Sequence, residues 1–221
     1  SGNVSFYNET EGRGILPTPV IGMIGLLEDV RRAVQPGFKC ENDVIVLLGT
    51  THNDLSISEY AATIDGVSTV EFTVSGNVPA LDLQRELAVQ KTCLEAAEAG
   101  LLQSAHDCSD GGLAVALAES CFATHGRESI GASVDLDDDL TPASALFSES
   151  PSRIIVSVAS ANIAAQNSAP LSILGRVGGR HLLINANGEA VVDIEVSELE
   201  AAWRTALSKK LKAEAMAAGR E

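Results

Sequence analysis

Three residues near the start of the sequence have the types and the spacing that a phosphate and metal site needs. Polar and apolar residues alternate over 3–7, which predicts a strand with Asn3, Ser5 and Tyr7 on one face. Gly2 has no side chain, so a phosphate could approach its backbone. The Asn3 amide oxygen is a hard ligand suited to Mg²⁺, and the Ser5 hydroxyl can donate to an anion. An exposed edge strand with polar outward residues explains the same pattern without any chemistry.

A second candidate is the glycine-rich turn Ser-Asp-Gly-Gly at 109–112, between a predicted strand and a predicted helix. Glycines at a helix N-terminus expose amide donors next to the positive end of the helix dipole, which is a ready site for an anion. The turn lacks the lysine of a Walker loop, so it is not a complete phosphate motif. The structural alternative is that Ser109 or Asp110 caps the helix and the glycines allow close packing.

Histidine and cysteine residues flank this helix and could ligate zinc. His106 and Cys108 precede the helix, and Cys121 and His125 follow its start by about a dozen residues. At 1.5 Å per residue, the helix separates the two pairs by roughly 18 Å. We therefore expect buried free thiols instead of a zinc site, because free cysteine is among the most often buried residue types.

Two groups of charged residues complete the candidates. The run of carboxylates at 135–139 could hold Ca²⁺ or Mg²⁺, but it lacks the glycine turn and the bidentate glutamate of a calcium loop. A solvated acidic loop is the expectation there. Glu149 and Arg153 are spaced so that they could pair across a turn, and a structural ion pair is the expected role.

The elements that must position these residues are a mixture of helices and strands. Strands are predicted over 20–26, 43–48, 104–108, 130–136, 153–159 and 172–177. The Asn187-Gly188 turn predicts a hairpin that pairs 181–185 with 190–194. Helices are predicted over 28–34, 80–99 and 112–122, and a last helix starts at Ser197, which forms a capping box with Glu200. This order predicts an α+β layered domain with a partly antiparallel sheet, and a domain boundary at Pro36-Gly37.

Composition and charge exclude several classes of protein. The 221 residues carry 15 Lys and Arg against 30 Asp and Glu, a net charge of −15. Nucleic acids and anionic membranes both attract clustered cations, so neither partner is expected. The longest apolar runs are far shorter than the roughly 20 residues that span a bilayer, and no signal peptide opens the sequence. Four cysteines without a Cys-x-x-Cys pair indicate free thiols in the cytoplasm. The start at Ser1-Gly2 without a methionine fits a cloning scar or the tail of a longer protein, and the residues that follow favour the tail.

Several longer segments resemble phosphoribosylformylglycinamidine synthase (FGAM synthase), a family of purine biosynthesis. The similarity is carried by Ser-Gly-Asn-Val-Ser-Phe-Tyr-Asn-Glu-Thr at 1–10, Pro-Thr-Pro-Val-Ile-Gly-Met-Ile-Gly at 17–25, Ser-Glu-Tyr at 58–60, the segment 106–119 and Leu-Phe-Ser-Glu-Ser-Pro-Ser-Arg at 146–153. These motifs keep the family's order and reach the helix that contains Trp203. Shorter motifs are shared with other ATP-using members of the AIR synthase superfamily, which remain an alternative. One departure is Ser56-Ile57, where the family commonly has Gly-Gly.

The resemblance implies two types of domain in this chain. Residues 1–37 correspond to the end of the second A-type domain, which resembles the N-terminal domain of AIR synthase and contributes its last strands. Residues 38–221 correspond to the whole second B-type domain, a layered α/β/α domain of the AIR synthase C-terminal type with a mixed, partly antiparallel sheet. The chain then resembles the C-terminal portion of a small-type synthetase subunit.

The resemblance also implies a carbon–nitrogen ligase activity. In the family, ATP phosphorylates the amide oxygen of formylglycinamide ribonucleotide, and ammonia derived from glutamine displaces the phosphate, which yields formylglycinamidine ribonucleotide, ADP and phosphate. Matched by position, Gly2 corresponds to an ATP contact, Asn3 to a Mg²⁺ ligand and Ser5 to a substrate contact. The family's catalytic histidines, its ATP-contacting lysine and its carboxylate magnesium ligands belong to the first half. No catalytic residue is therefore assigned here, and the isolated fragment is expected to be inactive.

The small type of subunit implies partners as well. It acts with a separate glutaminase subunit and a small accessory subunit, and this portion needs the N-terminal half of its own chain. A non-catalytic half that stabilises the enzyme and docks its partners is the alternative within the same resemblance. Two interpretations of 106–112 stay open, a structural segment or the lining of an auxiliary nucleotide site.

Overall fold

The computed structural model describes residues 9–10, 12–14, 21–66, 78–123, 126–137, 139–159 and 169–218. The chain divides into two compact units, Ser1–Arg31 and Arg32–Glu221. The sequence places the boundary at Pro36-Gly37, and the assignment of 1–37 and 38–221 to two domain types stays a prediction. None of the helices in the described ranges combines the length and the apolar composition that crossing a membrane requires.

The described residues of the first unit contain little regular structure. β1 (Glu9–Thr10) and β2 (Arg13–Gly14) form a short antiparallel hairpin, a feature that is not among the strands predicted from the sequence. The strand predicted over 20–26 is wrong for residues 21–26, which carry no regular structure. An extended segment becomes a strand only when a neighbouring strand supplies hydrogen-bond partners. A 3-10 turn at Val30–Arg32 lies inside the predicted helical segment 28–34.

The second unit alternates strands and helices along the chain. Its strands are β3 (Val44–Leu48), β4 (Leu102–Asp107), β5 (Ala132–Leu136), β6 (Ile154–Val158), β7 (Leu171–Val177), β8 (His181–Ala186) and β9 (Glu189–Glu195). Its helices in the described part are α1 (Glu59–Thr63), α2 (Leu83–Glu98), α3 (Gly112–Cys121), α4 (Pro142–Phe147) and α5 (Val196–Ala218). All strands that the sequence predicts between 43 and 194 are present, although β4 begins two residues before its predicted start at 104.

These strands form one mixed sheet with the order β4-β6-β3-β7-β5-β8-β9. β5 and β8 run parallel, and the other neighbouring pairs run antiparallel. A parallel neighbour needs a long crossover, and the chain between β5 and β8 supplies it through α4, β6 and β7. The predicted α+β fold with a mixed, partly antiparallel sheet is therefore confirmed.

β3 lies inside the sheet and is buried along its whole length. Ile45 and Leu47 belong to a core cluster that includes residues of α3, α4 and α5. Val44, Val46 and Leu48 belong to a second cluster, which includes Val89 of α2. Because successive side chains of a strand point to opposite faces, helices must cover both faces of the sheet. The domain therefore has three layers, α/β/α, and this double burial explains the continuous apolar run of β3.

The sequence-based prediction is right for the hairpin and wrong for the start of the last helix. β8 and β9 pair as predicted, and the turn residues Asn187 and Gly188 have φ values of 53° and 82°, as a primed turn requires. The capping box is wrong, because α5 begins at Val196 and thus contains Ser197. The Arg180 carbonyl accepts from the Val196 amide at 2.9 Å, so the turn before β8 satisfies the first amide of this helix.

A glycine at the start of α3 is expected to tolerate no side chain. Gly112 has φ +65°, and a Cβ there would lie 2.6 Å from the Ser148 carbonyl oxygen. Gly100 has φ +69° with nothing within 4 Å of its Cβ position, so it isolates the cost of the backbone conformation. We expect Gly100→Ala to lower the free energy of unfolding by about 1 kcal/mol, and Gly112→Ala by about 3 kcal/mol. Urea unfolding followed by circular dichroism measures both, and equal losses would contradict the close packing.

The four cysteines are free and are expected to differ in reactivity. Burial raises the pKa of Cys108 to about 11 and that of Cys121 to about 12, so both stay protonated thiols at neutral pH. Cys40 is exposed, and burial raises the pKa of Cys93. In native protein at pH 8 we expect a thiol reagent to modify Cys40 first and to reach Cys108 and Cys121 only after denaturation. Mass mapping of the labelled peptides measures the order of modification. Early labelling of Cys121 would contradict its buried position.

Candidate functional site

The residues that the sequence selects for chemistry, Gly2, Asn3 and Ser5, lie outside the described residues. Within the described part of the second unit, polar groups converge where two loops meet the start of α3. We call this the Arg153 junction, and it consists of the loop 49–58 after β3, the loop 148–153 after α4, and Gly111. Two of its segments belong to the motifs at 58–60 and 146–153.

The Arg153 side chain is buried and organises the junction. Its Nε donates to the Ser150 carbonyl at 2.9 Å, its Nη2 to the Ser148 carbonyl at 2.6 Å, and its Nη1 to the Thr51 hydroxyl at 3.0 Å. Burial lowers the pKa of the guanidinium, and arginine nevertheless stays charged because its ordinary value exceeds 12. The planar fork of donors therefore fixes one loop directly and the other through Thr51.

Glu149 does not pair with Arg153, so the predicted ion pair is wrong. The Glu149 carboxylate oxygen Oε1 accepts from the Gly111 amide at 2.9 Å and from the Glu59 amide at 2.8 Å. These amides belong to the start of α3 and of α1, where helices leave donors unsatisfied and favour a negative charge. The Arg153 donors meanwhile reach loop carbonyls, so the two charges serve different partners.

The predicted anion site at 109–112 is thus filled by the chain's own carboxylate. Gly111, with φ 79°, occupies the N-cap position of α3 and has no side chain to cap it. The prediction that Ser109 or Asp110 caps this helix is wrong, because the Ser109 hydroxyl donates to the Asp107 carboxylate instead. This contact is the largest of the effects that hold the pKa of Asp107 below its ordinary value. The close packing predicted for the glycines is confirmed at Gly112.

Serine hydroxyls connect the two loops of the junction. The Ser150 hydroxyl donates to the Asp54 carboxylate at 2.6 Å and accepts from the His52 amide at 2.9 Å. The Ser148 hydroxyl accepts from the Asp54 amide at 3.1 Å. The sequence singled out neither His52 nor Asp54, and the density of polar residues directly after a buried strand was the available signal.

The turn before α1 shows why the departure at Ser56-Ile57 is tolerated. Ser58 caps α1 by accepting from the Ala61 amide at 3.3 Å, and its own amide donates to the Leu55 carbonyl at 3.3 Å. Neither Ser56 nor Ile57 has a positive φ, so this turn does not require glycine. Tyr60 then stacks on Phe147 with ring centroids 5.1 Å apart, which joins the two family motifs.

One residue of the junction has a strained backbone. Ser152 has φ 61°, and its buried hydroxyl has no hydrogen-bond partner among the described residues. Such conformations cost about 1–3 kcal/mol and persist only where the surroundings fix them.

Next to the junction, a cavity of about 220 Å³ is lined partly by polar residues: Thr50, Thr51, Asp135, Asp137 and Ser172.

The described members of the other candidate metal groups are not brought together. In the described ranges no cluster of three or more histidine, cysteine, aspartate or glutamate side chains could hold a metal ion. His106 pairs with Glu119 at 3.1 Å, and His125 lies outside the described residues. In the acidic segment, Asp135 accepts from the Asn185 amide group at 2.7 Å, and Asp138 lies outside the described residues.

Relatives with established names match nearly the whole chain. The phosphoribosylformylglycinamidine synthase subunit PurL of Moorella thermoacetica is 44% identical over 212 residues, which cover 93% of this chain and 28% of the relative. The PurL subunit of Anaeromyxobacter sp. (strain K) is 44% identical over 231 residues, which cover 99% of this chain and 29% of the relative. The chain therefore spans less than a third of the length of these relatives.

Solved structures share the fold at lower sequence identity. Thermotoga maritima PurL complexed with FGAR has a TM-score of 0.63 and 22% identity, and the match covers 77% of this chain and 30% of that chain. The same protein complexed with ATP has a TM-score of 0.60 at 22% identity, over 77% and 28% of the two chains. At this identity the matches establish the fold alone.

A family model agrees with both comparisons. The model described as AIR synthase related protein, C-terminal domain, matches residues 41–182, which include the Arg153 junction. The resemblance to phosphoribosylformylglycinamidine synthase that the motifs predict is confirmed by the named relatives. The chain belongs to the family of AIR synthase related proteins and contains their C-terminal domain.

Proposed function

We propose that this chain is the C-terminal part of an ATP-dependent carbon–nitrogen ligase of purine biosynthesis. The enzyme converts formylglycinamide ribonucleotide, ATP and glutamine-derived ammonia to formylglycinamidine ribonucleotide, ADP and phosphate. The observation that carries the proposal is 44% identity to PurL subunits over 93% and 99% of this chain. The chain spans under a third of those subunits, so the activity belongs to the longer protein and the fragment alone is inactive.

In this proposal the N-terminal strand face supplies contacts to the reacting molecules. Gly2 contacts ATP, Ser5 contacts the ribonucleotide and Asn3 binds Mg²⁺. The alternation over 3–7 predicts that Asn3 and Ser5 lie on the same face of a strand. This supports the assignment, because side chains on one face can contact ligands in the same cleft. T. maritima PurL has been solved in complexes with FGAR and with ATP. We propose that the full-length protein that contains this chain binds the same two ligands.

Magnesium fits the donor chemistry of Asn3 but not a site in the described residues. The amide oxygen of Asn3 is a neutral hard donor, and Mg²⁺ takes such oxygens together with substrate phosphates. The resemblance assigns the family's carboxylate magnesium ligands to the first half of the synthetase, so in this proposal the other ligands come from that half and from ATP. Bound there, the ion neutralises phosphate charge, while Gly2 and Ser5 hold their substrates in place.

The proposal includes partners and a compartment. A glutaminase subunit and a small accessory subunit act with the full-length synthetase. One of the solved relatives, PurLQS from T. maritima, supports an assembly of this kind. We place the protein in the cytoplasm, in keeping with four free thiols and a net charge of −15.

Substitutions at Asn3 and Ser5 in the full-length synthetase test the proposed contacts. Asn3→Ala removes a metal ligand and is expected to raise the Mg²⁺ concentration for half-maximal activity by roughly tenfold or more. Ser5→Ala removes a hydrogen bond to an anion, worth about 1.5–3 kcal/mol, and is expected to raise the KM for the ribonucleotide more than that for ATP. Steady-state kinetics at varied Mg²⁺ and substrate concentrations measure both.

The matched control for these two variants is Asn8→Ala. Continued by one residue, the alternation predicted over 3–7 assigns Asn8 to the face opposite Asn3, so its loss should leave both constants unchanged. Unchanged turnover and unchanged constants in both Asn3→Ala and Ser5→Ala would remove this face from the active site.

A non-catalytic scaffold half is the second candidate, and the Arg153 junction favours it. Within the junction the Arg153 donors and the Glu149 carboxylate are engaged by backbone and side-chain groups of the chain itself. Groups already satisfied in this way position elements and are not available to a substrate without first breaking those bonds. The junction therefore supplies stability, which is the role that the scaffold candidate assigns to this half.

Two variants of Glu149 separate a structural from a catalytic role of the junction. Glu149→Gln keeps an oxygen that can accept from the Gly111 and Glu59 amides and loses only the charge, so we expect a cost below about 1 kcal/mol. Glu149→Ala leaves two amides without their acceptor and should cost about 2–4 kcal/mol. Urea unfolding of the chain and turnover of the full-length synthetase are the readouts. A large loss of turnover in Glu149→Gln at unchanged stability would make the carboxylate catalytic and refute the structural role.

A further inference from the structure

The long helix α2 has apolar residues on two opposite sides. At about 100° per residue, Leu83, Leu87 and Leu94 fall within roughly 40° of one another. Val89 and Thr92 lie on the opposite side of the helix and are buried, and Val89 belongs to a core cluster with residues of the sheet. A helix that covers a sheet needs one apolar side, and its other side is normally polar. α2 therefore has one apolar side more than its place in this domain requires.

The outer apolar side is exposed in the described structure. Leu83 is 72% exposed, Leu87 66% and Leu94 59%. Neither core cluster, as far as the described residues define it, includes any of the three. We call these three leucines the α2 seam. Single exposed leucines are ordinary, but three along one side of a helix form a contiguous patch, and such patches mark interaction sites.

The spacing of the seam indicates that its occupant is a helix. With Gln90 included, the residues on this side are separated by four, three and four positions, which is the spacing of the apolar positions in a heptad repeat. This spacing keeps one stripe turned towards a neighbouring helix over about three turns, or about 17 Å. The one polar member, Gln90, donates its amide to Glu86 within α2, so this group is already bonded when an apolar neighbour arrives.

Polar groups that bind one another line both edges of the seam. Gln90 and Glu86 lie along one edge, and on the other edge Lys91 pairs with Glu95 at 3.7 Å. An apolar centre with a polar rim is the usual anatomy of a protein interface. Because these rim groups have partners in α2 itself, the seam fits an apolar stripe better than a strongly charged surface.

The size of the seam decides what kind of helix can occupy it. Three leucines that are exposed by roughly two thirds offer on the order of 200 Å² of apolar surface, against about 800 Å² per partner in a stable interface between separate chains. The seam is therefore too small to hold a second copy of this chain or a separate subunit by itself. A helix joined to α2 through the same polypeptide binds at a high effective concentration and needs far less area.

We propose that the α2 seam receives an amphipathic helix from the portion of the synthetase upstream of residue 1. The inference rests on the proposed function, in which this chain is the C-terminal part of a longer synthetase. The PurL relatives are long enough to supply such a helix, since the match covers only 28% and 29% of their length. The docked helix packs apolar side chains against Leu83, Leu87 and Leu94 and attaches this domain to the rest of the synthetase.

Thiol labelling of Leu87→Cys tests whether the seam is covered. Trypsin cleaves after Arg85 and Lys91, so the new cysteine lies in a peptide separate from Cys93 and mass mapping follows it alone. We expect the cysteine to react quickly in the 221-residue chain. In the full-length synthetase we expect it to react roughly tenfold or more slowly, because a covered thiol is reached only through local opening.

The matched control is Ser208→Cys, at an exposed position of α5. Its tryptic peptide, 205–209, contains no other cysteine, and it should react at the same rate in both proteins. If Leu87→Cys slows by less than about threefold relative to Ser208→Cys, the seam is not covered and the proposal is wrong.

The same labelling identifies the occupant. Protection of Leu87→Cys already in the 221-residue chain means that a segment of this chain covers the seam. Protection that increases with the concentration of the chain means a second copy. Protection of the synthetase only after the glutaminase subunit is added means a separate subunit. Each of these three results overturns the proposed occupant.

Two charge variants give a second measurement that does not depend on labelling. Leu87→Glu and Gln84→Glu each add one carboxylate at an exposed position of α2, and only the first places it in the seam. Neither should lower the urea midpoint of the 221-residue chain. In the full-length synthetase Leu87→Glu should lower the temperature of the first unfolding transition by a few degrees, while Gln84→Glu leaves it unchanged. Equal effects of the two variants on the synthetase contradict a docked helix.

Turnover of the wild-type full-length synthetase separates this inference from the proposed function. A protected seam in a synthetase that does not form formylglycinamidine ribonucleotide supports the docked helix and contradicts the proposed function. Normal turnover together with a freely reactive Leu87→Cys contradicts the docked helix alone.

Discussion

Burial of the Arg153 guanidinium is the constraint on which this end of the domain depends. An arginine cannot lose its charge in a protein, and buried donors without acceptors cost several kcal/mol. The carbonyls of Ser148 and Ser150 must therefore remain turned towards the guanidinium. With the residues on both sides held in this way, Glu149 is directed outward to the amides that open α1 and α3. One buried cation thus fixes the loop whose carboxylate accepts from an amide at the start of each of two helices.

The sheet gives this junction a rigid support. β3 ends at Leu48, just before the loop that provides Thr51, and β6 begins at Ile154, directly after Arg153. The two strands pair with each other, so the two loops lie side by side at the same end of the sheet. Because β3 is buried on both faces, its register cannot shift by one residue without moving every side chain to the wrong cluster. The fixed register of β3 therefore also fixes where the loop that follows it begins.

The sequence predicts the layers well and the contacts between loops poorly. Periodicity, an Asn-Gly turn and a continuous apolar run are local signals, and they identify the hairpin, α2, α3 and β3. The partners of Glu149 are 38 and 90 residues away along the chain, and no local pattern encodes them. The expected pairing with Arg153 failed for that reason, since spacing along the chain suggested the nearest opposite charge. The start of α5 failed similarly, because a distant carbonyl of Arg180 took the role assigned to Ser197.

The occupancy of the α3 terminus bears on where a nucleotide can bind. The Gly111 amide is taken by Glu149 and the Gly112 amide by the Ser109 carbonyl, so a phosphate arriving there must displace a carboxylate held by two amides. It would also approach the negative charge of Glu149 unless that side chain left the junction. A glycine-rich turn ahead of a helix is therefore not sufficient for anion binding when the fold already supplies the anion. In our proposal the phosphate chemistry therefore stays with Gly2, Asn3 and Ser5, whose strand face is predicted from the sequence.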